Sequence, residues 1–142
     1  MVTIRTLDNG IKVALEAISY VRSISFGIWV KNGTRNELPH ENGVSHYIEH
    51  MMFKGTENRT AREIAEEMDA LGGQINAYTT KEEIVLCSTV LIEDLPKAID
   101  LLAELALTST FPPKELEKEL DIELDELQRM AVSEAVQNGV FI

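Results

Sequence analysis

The chain has one cysteine, Cys87, in 142 residues, so an internal disulfide is excluded. That usage suits a reducing compartment. Basic residues are also scarce, with 13 Lys and Arg against 24 Asp and Glu and a formal net charge of −11. Nucleic acids and anionic membranes call for a basic patch, so no nucleic-acid or membrane partner is expected. A bilayer-spanning helix needs about 20 predominantly apolar residues in a row, and no run approaches that. The opening "MVTIRTLDNG" lacks the basic and apolar regions of a secretory signal, and no Arg- and Ser-rich leader is present. A cytoplasmic location is the resulting expectation. Repeats, low-complexity tracts and linkers are absent as well, which predicts a single domain over residues 1–142. Histidine is rare, with three in the chain.

What is present is ordinary for a globular domain: 44% hydrophobic and 26% charged residues, and enough length to bury a core. "VTIRTLDNGIKVALEA" reads as a β-hairpin, with Asn9-Gly10 as a type I′ turn between two alternating runs. "VRSISFGIWVKNG" predicts a third strand with Ile24, Phe26, Ile28 and Val30 on one face. Residues 33–43 are dense in Gly, Asn and Pro and read as a loop. A helix is expected from Val44, ended by Gly55 as a capping glycine. "TARE" at 60–63 is a capping box, opening a helix with Ile64, Met68 and Leu71 inward and Gly72-Gly73 at its end. Two strands follow in "QINAYTT" and "EIVLCSTVL", where Cys87 reads as a small buried apolar residue. Residues 94–107 predict an amphipathic helix with Leu95, Ile99, Leu102 and Ala106 inward. After "FPP" a last helix runs from about Lys114 to the mid-130s, with an acidic face over a stripe of Leu116, Leu120, Leu124 and Leu127. The order ββ-β-α-α-β-β-α-α predicts an α+β fold, helices on one face of a largely antiparallel sheet.

Two of the three histidines fall four residues apart in "SHYIEHMMFKG". On a helix, residues i, i+3 and i+4 share a face, so His46, Glu49 and His50 project together. Two imidazoles at this spacing can reach one zinc ion at about 2.0–2.1 Å. The carboxylate between them can accept a proton from an activated water. The pattern is H-x-x-E-H, a zinc-peptidase signature. The competing reading is an amphipathic helix with two surface histidines, its core face formed by Val44, Tyr47, Ile48 and Met51. A catalytic zinc usually takes a third protein ligand. His40 lies in the preceding loop. The acidic last helix offers Glu115, Glu117, Glu119, Asp121, Glu123, Asp125 and Glu126, and spacing alone does not choose among them.

"LDNGIKVALE", "NGVSHYIEHMMFKGT", "GGQINAYTTKE", "STFPPKELEKE" and "LDEL" together resemble the N-terminal part of the pitrilysin/insulinase family of zinc peptidases, in its processing-peptidase-like branch. The resemblance covers about residues 1–130. It implies that Glu126 completes a zinc site with His46 and His50, that Glu49 is the general base, and that Glu119 is a supporting carboxylate of the catalytic site near the metal. It also implies that "INAYTT" is a sheet edge where Asn76 and Ala77 offer backbone groups to a peptide or unfolded polypeptide, a known mode of recognition. Family members are longer and close from two similar halves. The resemblance therefore implies an incomplete metallopeptidase N-terminal domain. It would be inactive alone and prone to self-associate or to need a C-terminal half or second subunit. The stretch after Met130 departs from the family's usual continuation. The family also holds non-catalytic subunits that bind peptides and scaffold a partner. Those usually lose a motif residue, whereas all are intact here.

Overall fold

The computed structural model describes residues 1–137, except that in the last helix it leaves out the side chains of Glu123, Glu126, Leu127 and residues 130–137. Five strands and four helices follow in order: β1 (Val2–Thr6), β2 (Lys12–Glu16), β3 (Ser23–Val30), α1 (Val44–Met51), α2 (Ala61–Leu71), β4 (Gln74–Thr79), β5 (Ile84–Leu91), α3 (Leu95–Leu107) and α4 (Pro113–Gln137). The fold is α+β, and every strand pairing is antiparallel. Among the described residues the strands form two sheets, however: β1 pairs only with β2, and the second sheet has the order β3-β5-β4. β5 is thus central, and β4 stands at an edge.

The core lies between the helices and one face of the three-stranded sheet. Ile75 of β4 and Ile84 and Leu86 of β5 meet Ile64 of α2 and Leu101, Leu102 and Leu105 of α3. Phe26 and Ile28 of β3, Ile48 of α1 and Ala77 of β4 pack against this cluster. The period of two explains the choice, since these strand residues share one pleat face. The other face carries exposed Trp29 and Tyr78. Both lie in register with Val85, which is buried there.

Several local expectations are corrected. The first hairpin does not use a two-residue type I′ turn. Leu7 N–H bonds Ile11 C=O at 2.8 Å and Gly10 N–H bonds Leu7 C=O at 2.9 Å, leaving Asp8, Asn9 and Gly10 as a three-residue loop. Gly10, at φ 87°, supplies the left-handed position that closes such a loop. Helix α1 ends at Met51 rather than at Gly55, which instead bridges Thr60 as a strand-like pair. Helix α3 buries Ala98, Leu101, Leu102 and Leu105, while Ile99 is 48% exposed, because the face against β5 and β3 is turned from the predicted stripe. In α4 the predicted leucine stripe is inward only in part: Leu116 is half-buried, Leu120 and Leu124 are exposed, Glu119 is buried, and the Leu127 side chain lies outside the described residues. Cys87 is half-buried, on the sheet face away from the core. The capping box is present as read: Thr60 Oγ1 accepts from Glu63 N–H, and Glu63 Oε2 accepts from Thr60 N–H at 2.8 Å.

Candidate metal centre

Helix α1 carries the motif, and its placement is fixed from both ends. Its cap residue, Gly43, sits at φ 94°, a left-handed conformation that side chains resist. Gly43 has no side chain to cap the helix, and Glu37 does so from upstream. Glu37 Oε2 accepts from Gly43 N–H at 2.9 Å, and Oε1 accepts from Ser45 N–H at 2.8 Å. A carboxylate at a helix N-terminus satisfies orphan donors and complements the helix dipole. These two backbone bonds hold Glu37 below the usual carboxylate range. On the far side Tyr47 O–H donates to the Leu116 carbonyl of α4 at 2.5 Å.

One face of α1 then presents His46, Glu49 and His50, whose ligand atoms all lie within 4.8 Å of one another. The two imidazole centroids are 4.4 Å apart at 61°, and His46 Nδ1 is 3.6 Å from Glu49 Oε2. Helix α4 crosses behind His50, where Glu119 Oε1 sits 2.5 Å from His50 Nδ1. With the Nδ1 proton donating to that carboxylate, the Nε2 lone pair is free for a metal, and the ring is held in one orientation. Lys54 Nζ reaches the other Glu119 oxygen at 3.2 Å. Burial pushes the Glu119 carboxyl upward, but the bonds from His50 and Lys54 and the positive charge of Lys54 outweigh it, and the carboxyl stays below its usual range. A buried anion therefore backs a metal-ligating type of histidine. Nitrogen donors with a nearby carboxylate suit zinc in chemistry, and the spacing of the donor atoms suits a single ion.

The site opens into a concavity of about 270 Å³ lined by Glu49, His50, Phe53, Lys54, Ala77 and Glu119. Ala77 belongs to β4, the sheet edge beside α1. Just past the strand, Thr80 N–H bonds Glu83 C=O at 2.8 Å, so the bonded pairs alternate back along the ladder through Tyr78 and Asn76. Asn76 therefore turns its N–H and C=O to β5, while Ala77 turns its own to the free edge. His40 is not part of the group and lies exposed beside Glu41. The Glu126 side chain is outside the described residues.

Sequence reasoning passed over Glu37, Lys54, Tyr47 and Thr79. Thr79 Oγ1 lies 2.5 Å from Glu49 Oε2. Period-two alternation from Ala77 puts Thr79 on the inner face, but nothing local announces a partner 30 residues away.

The family model described as Insulinase (Peptidase family M16) matches residues 12–141, running through the stretch after Met130. The chain is 45% identical to an uncharacterized zinc protease of Bacillus subtilis over 87% of this chain and 30% of the relative. It is 37% identical to a probable mitochondrial-processing peptidase subunit beta of Arabidopsis thaliana, over 89% of this chain and 24% of that one. The crystal structure of a protease from Helicobacter pylori superposes with a TM-score of 0.83 at 27% identity, covering 89% of this chain and 30% of that one. The chain thus spans about 30% or less of the length of these relatives. With the His46–Glu49–His50 face and the extent of the match, the chain belongs to the insulinase family of peptidases.

Proposed function

We propose that this chain is the metal-holding domain of a zinc endopeptidase, with His46 and His50 as ligands and Glu126 as the third. The observation that carries the reading is the buried Glu119 carboxylate fixed on the back of His50, an arrangement that orients a metal-binding imidazole. Zinc, when bound, supplies an acidified water and a positive charge near the scissile carbonyl. Glu49, 13% exposed in its side chain, takes a proton from the attacking water and returns it to the leaving amine. Glu119 holds His50 and takes no part in proton transfer. The free edge of β4 receives an extended peptide, with Ala77 offering backbone groups, next to the concavity that Glu49 lines.

A peptide or unfolded polypeptide is the proposed substrate, and a further chain segment or second subunit the proposed partner. The name of the Arabidopsis relative, a subunit of a processing peptidase, supports that partner. A half-exposed His46 beside the open concavity that Glu49 and His50 line supports low activity for the 142-residue chain alone, since positioning and exclusion of water contribute much of a peptidase's rate.

The test is Glu49→Gln. Zinc should remain, and turnover should fall by roughly 10²–10⁴-fold on any peptide that the unsubstituted protein cleaves. Near-normal turnover would remove Glu49 as the base.

A further inference from the structure

Thr79 is the last residue of β4, two positions from Ala77 on the same pleat face. Its hydroxyl oxygen lies 2.5 Å from Glu49 Oε2 and 3.4 Å from the Ser45 carbonyl. A hydroxyl has one proton to give. The short contact takes it, so Thr79 donates to Glu49, and a bond to a carboxylate is of the stronger, charge-assisted kind. The two partners differ in freedom. Threonine is β-branched and stiff at its one heavy-atom torsion, and here it sits in a paired strand. Glu49 has three torsions and needs something to hold it.

We propose that Thr79 is a positioning residue that ties the Glu49 carboxylate to strand β4. One carboxylate oxygen is anchored, and the other is left for proton transfer. This rests on the reading of Glu49 as the general base and adds a consequence to it. A peptide on the free edge of β4 takes its place from the backbone of that strand. Through Thr79, the base takes its place from the same strand, two residues from Ala77. Substrate and base then share one reference, and a small shift of the sheet against α1 moves both together. Productive geometry in catalysis tolerates little displacement, and a misplacement of about 1 Å can cost on the order of 100-fold.

The test compares crystal structures of the unsubstituted protein, Thr79→Val and Thr79→Ser, each grown with added zinc chloride. Valine keeps the shape and removes the hydroxyl, whereas serine keeps the hydroxyl. Glu49 should hold its position in the serine variant and leave it in the valine variant. On a quenched-fluorescent peptide that the unsubstituted protein cleaves, the valine variant should lose about 10–100-fold in kcat at unchanged KM, and serine should restore most of it. Zinc in the density reports on the metal reading, and Glu49→Gln reports on the base, so either can fail without deciding the Thr79 claim. Glu49 unmoved in the valine variant, or displaced equally in the serine variant, would overturn the proposal. Should the valine variant not fold, Thr79→Ala in its place is read by the same two criteria.

Discussion

Glu119 is the buried acid behind His50. It is 4% exposed, engaged by His50 and Lys54, and reached from α4. Removing a carboxylate behind a ligating histidine commonly costs about 10–100-fold in metal affinity. Glu119→Gln should therefore weaken zinc binding by that factor, measured by competition with a chelating indicator. An unchanged affinity would mean the His50–Glu119 bond does not orient a ligand. Its role was legible only in part. The H-x-x-E-H spacing carries the three donors of α1 because helical geometry alone puts them on one face. Glu119 and Thr79 join that group through contacts 69 and 30 residues apart, which no local pattern encodes. A leucine stripe in α4 hid the inward glutamate, because periodicity assumes that apolar residues face in, and here a carboxylate hydrogen-bonded to His50 of α1 does.

At the scale of elements, α1 is short and depends on its neighbours. Glu37 caps it through two backbone bonds that require the ionised carboxylate. The folded-state pKa of Glu37 lies below its ordinary value of 4.5. Its stabilisation is thus fully present above about pH 4.5 and is lost as the pH falls through the lower folded value. Melting temperatures of the unsubstituted protein and Glu37→Gln should differ near neutral pH and converge in acid. A gap that stays constant down to about pH 3 would show that the cap is not ionic. The hairpin of β1 and β2 makes the opposite case. Its residues Val2, Ile4, Val13 and Leu15 are exposed, and among the described residues it pairs with no other strand. An isolated two-stranded hairpin is marginal in water. Its amides should exchange with deuterium far faster than those of the central strand β5, and equal protection would contradict this. Element order was readable because each segment keeps a clear period, and α2 announces itself through Thr60 and Glu63. The split into two sheets was not, since strand alternation shows which face is apolar and says nothing about which strands pair.

At the scale of the whole molecule, the three-stranded sheet, α1 and α4 converge on one concavity. Ala77 of the edge strand, His50, Glu49 and Glu119 line it, and His46 lies beside Glu49 on the same helix face. The core beneath is concentrated in β5 and α3, where Leu101, Leu102 and Leu105 are fully buried. Leu102→Ala should cost about 2–5 kcal/mol by chemical denaturation and leave the order of zinc affinities among site variants intact. A stability loss under about 1 kcal/mol would place the core elsewhere. The chain spans about 30% of the length of its Bacillus relative, and the clustered donor atoms of His46, Glu49 and His50 lie within it. Whether His46 and His50 hold a metal is decided by the zinc content of the purified protein, set beside His46→Ala, His50→Ala and Glu49→Gln. About one zinc per chain is expected in the unsubstituted protein and in Glu49→Gln, and none in either histidine variant. Zinc retained in either histidine variant, or lost when Glu49 alone becomes glutamine, would contradict this.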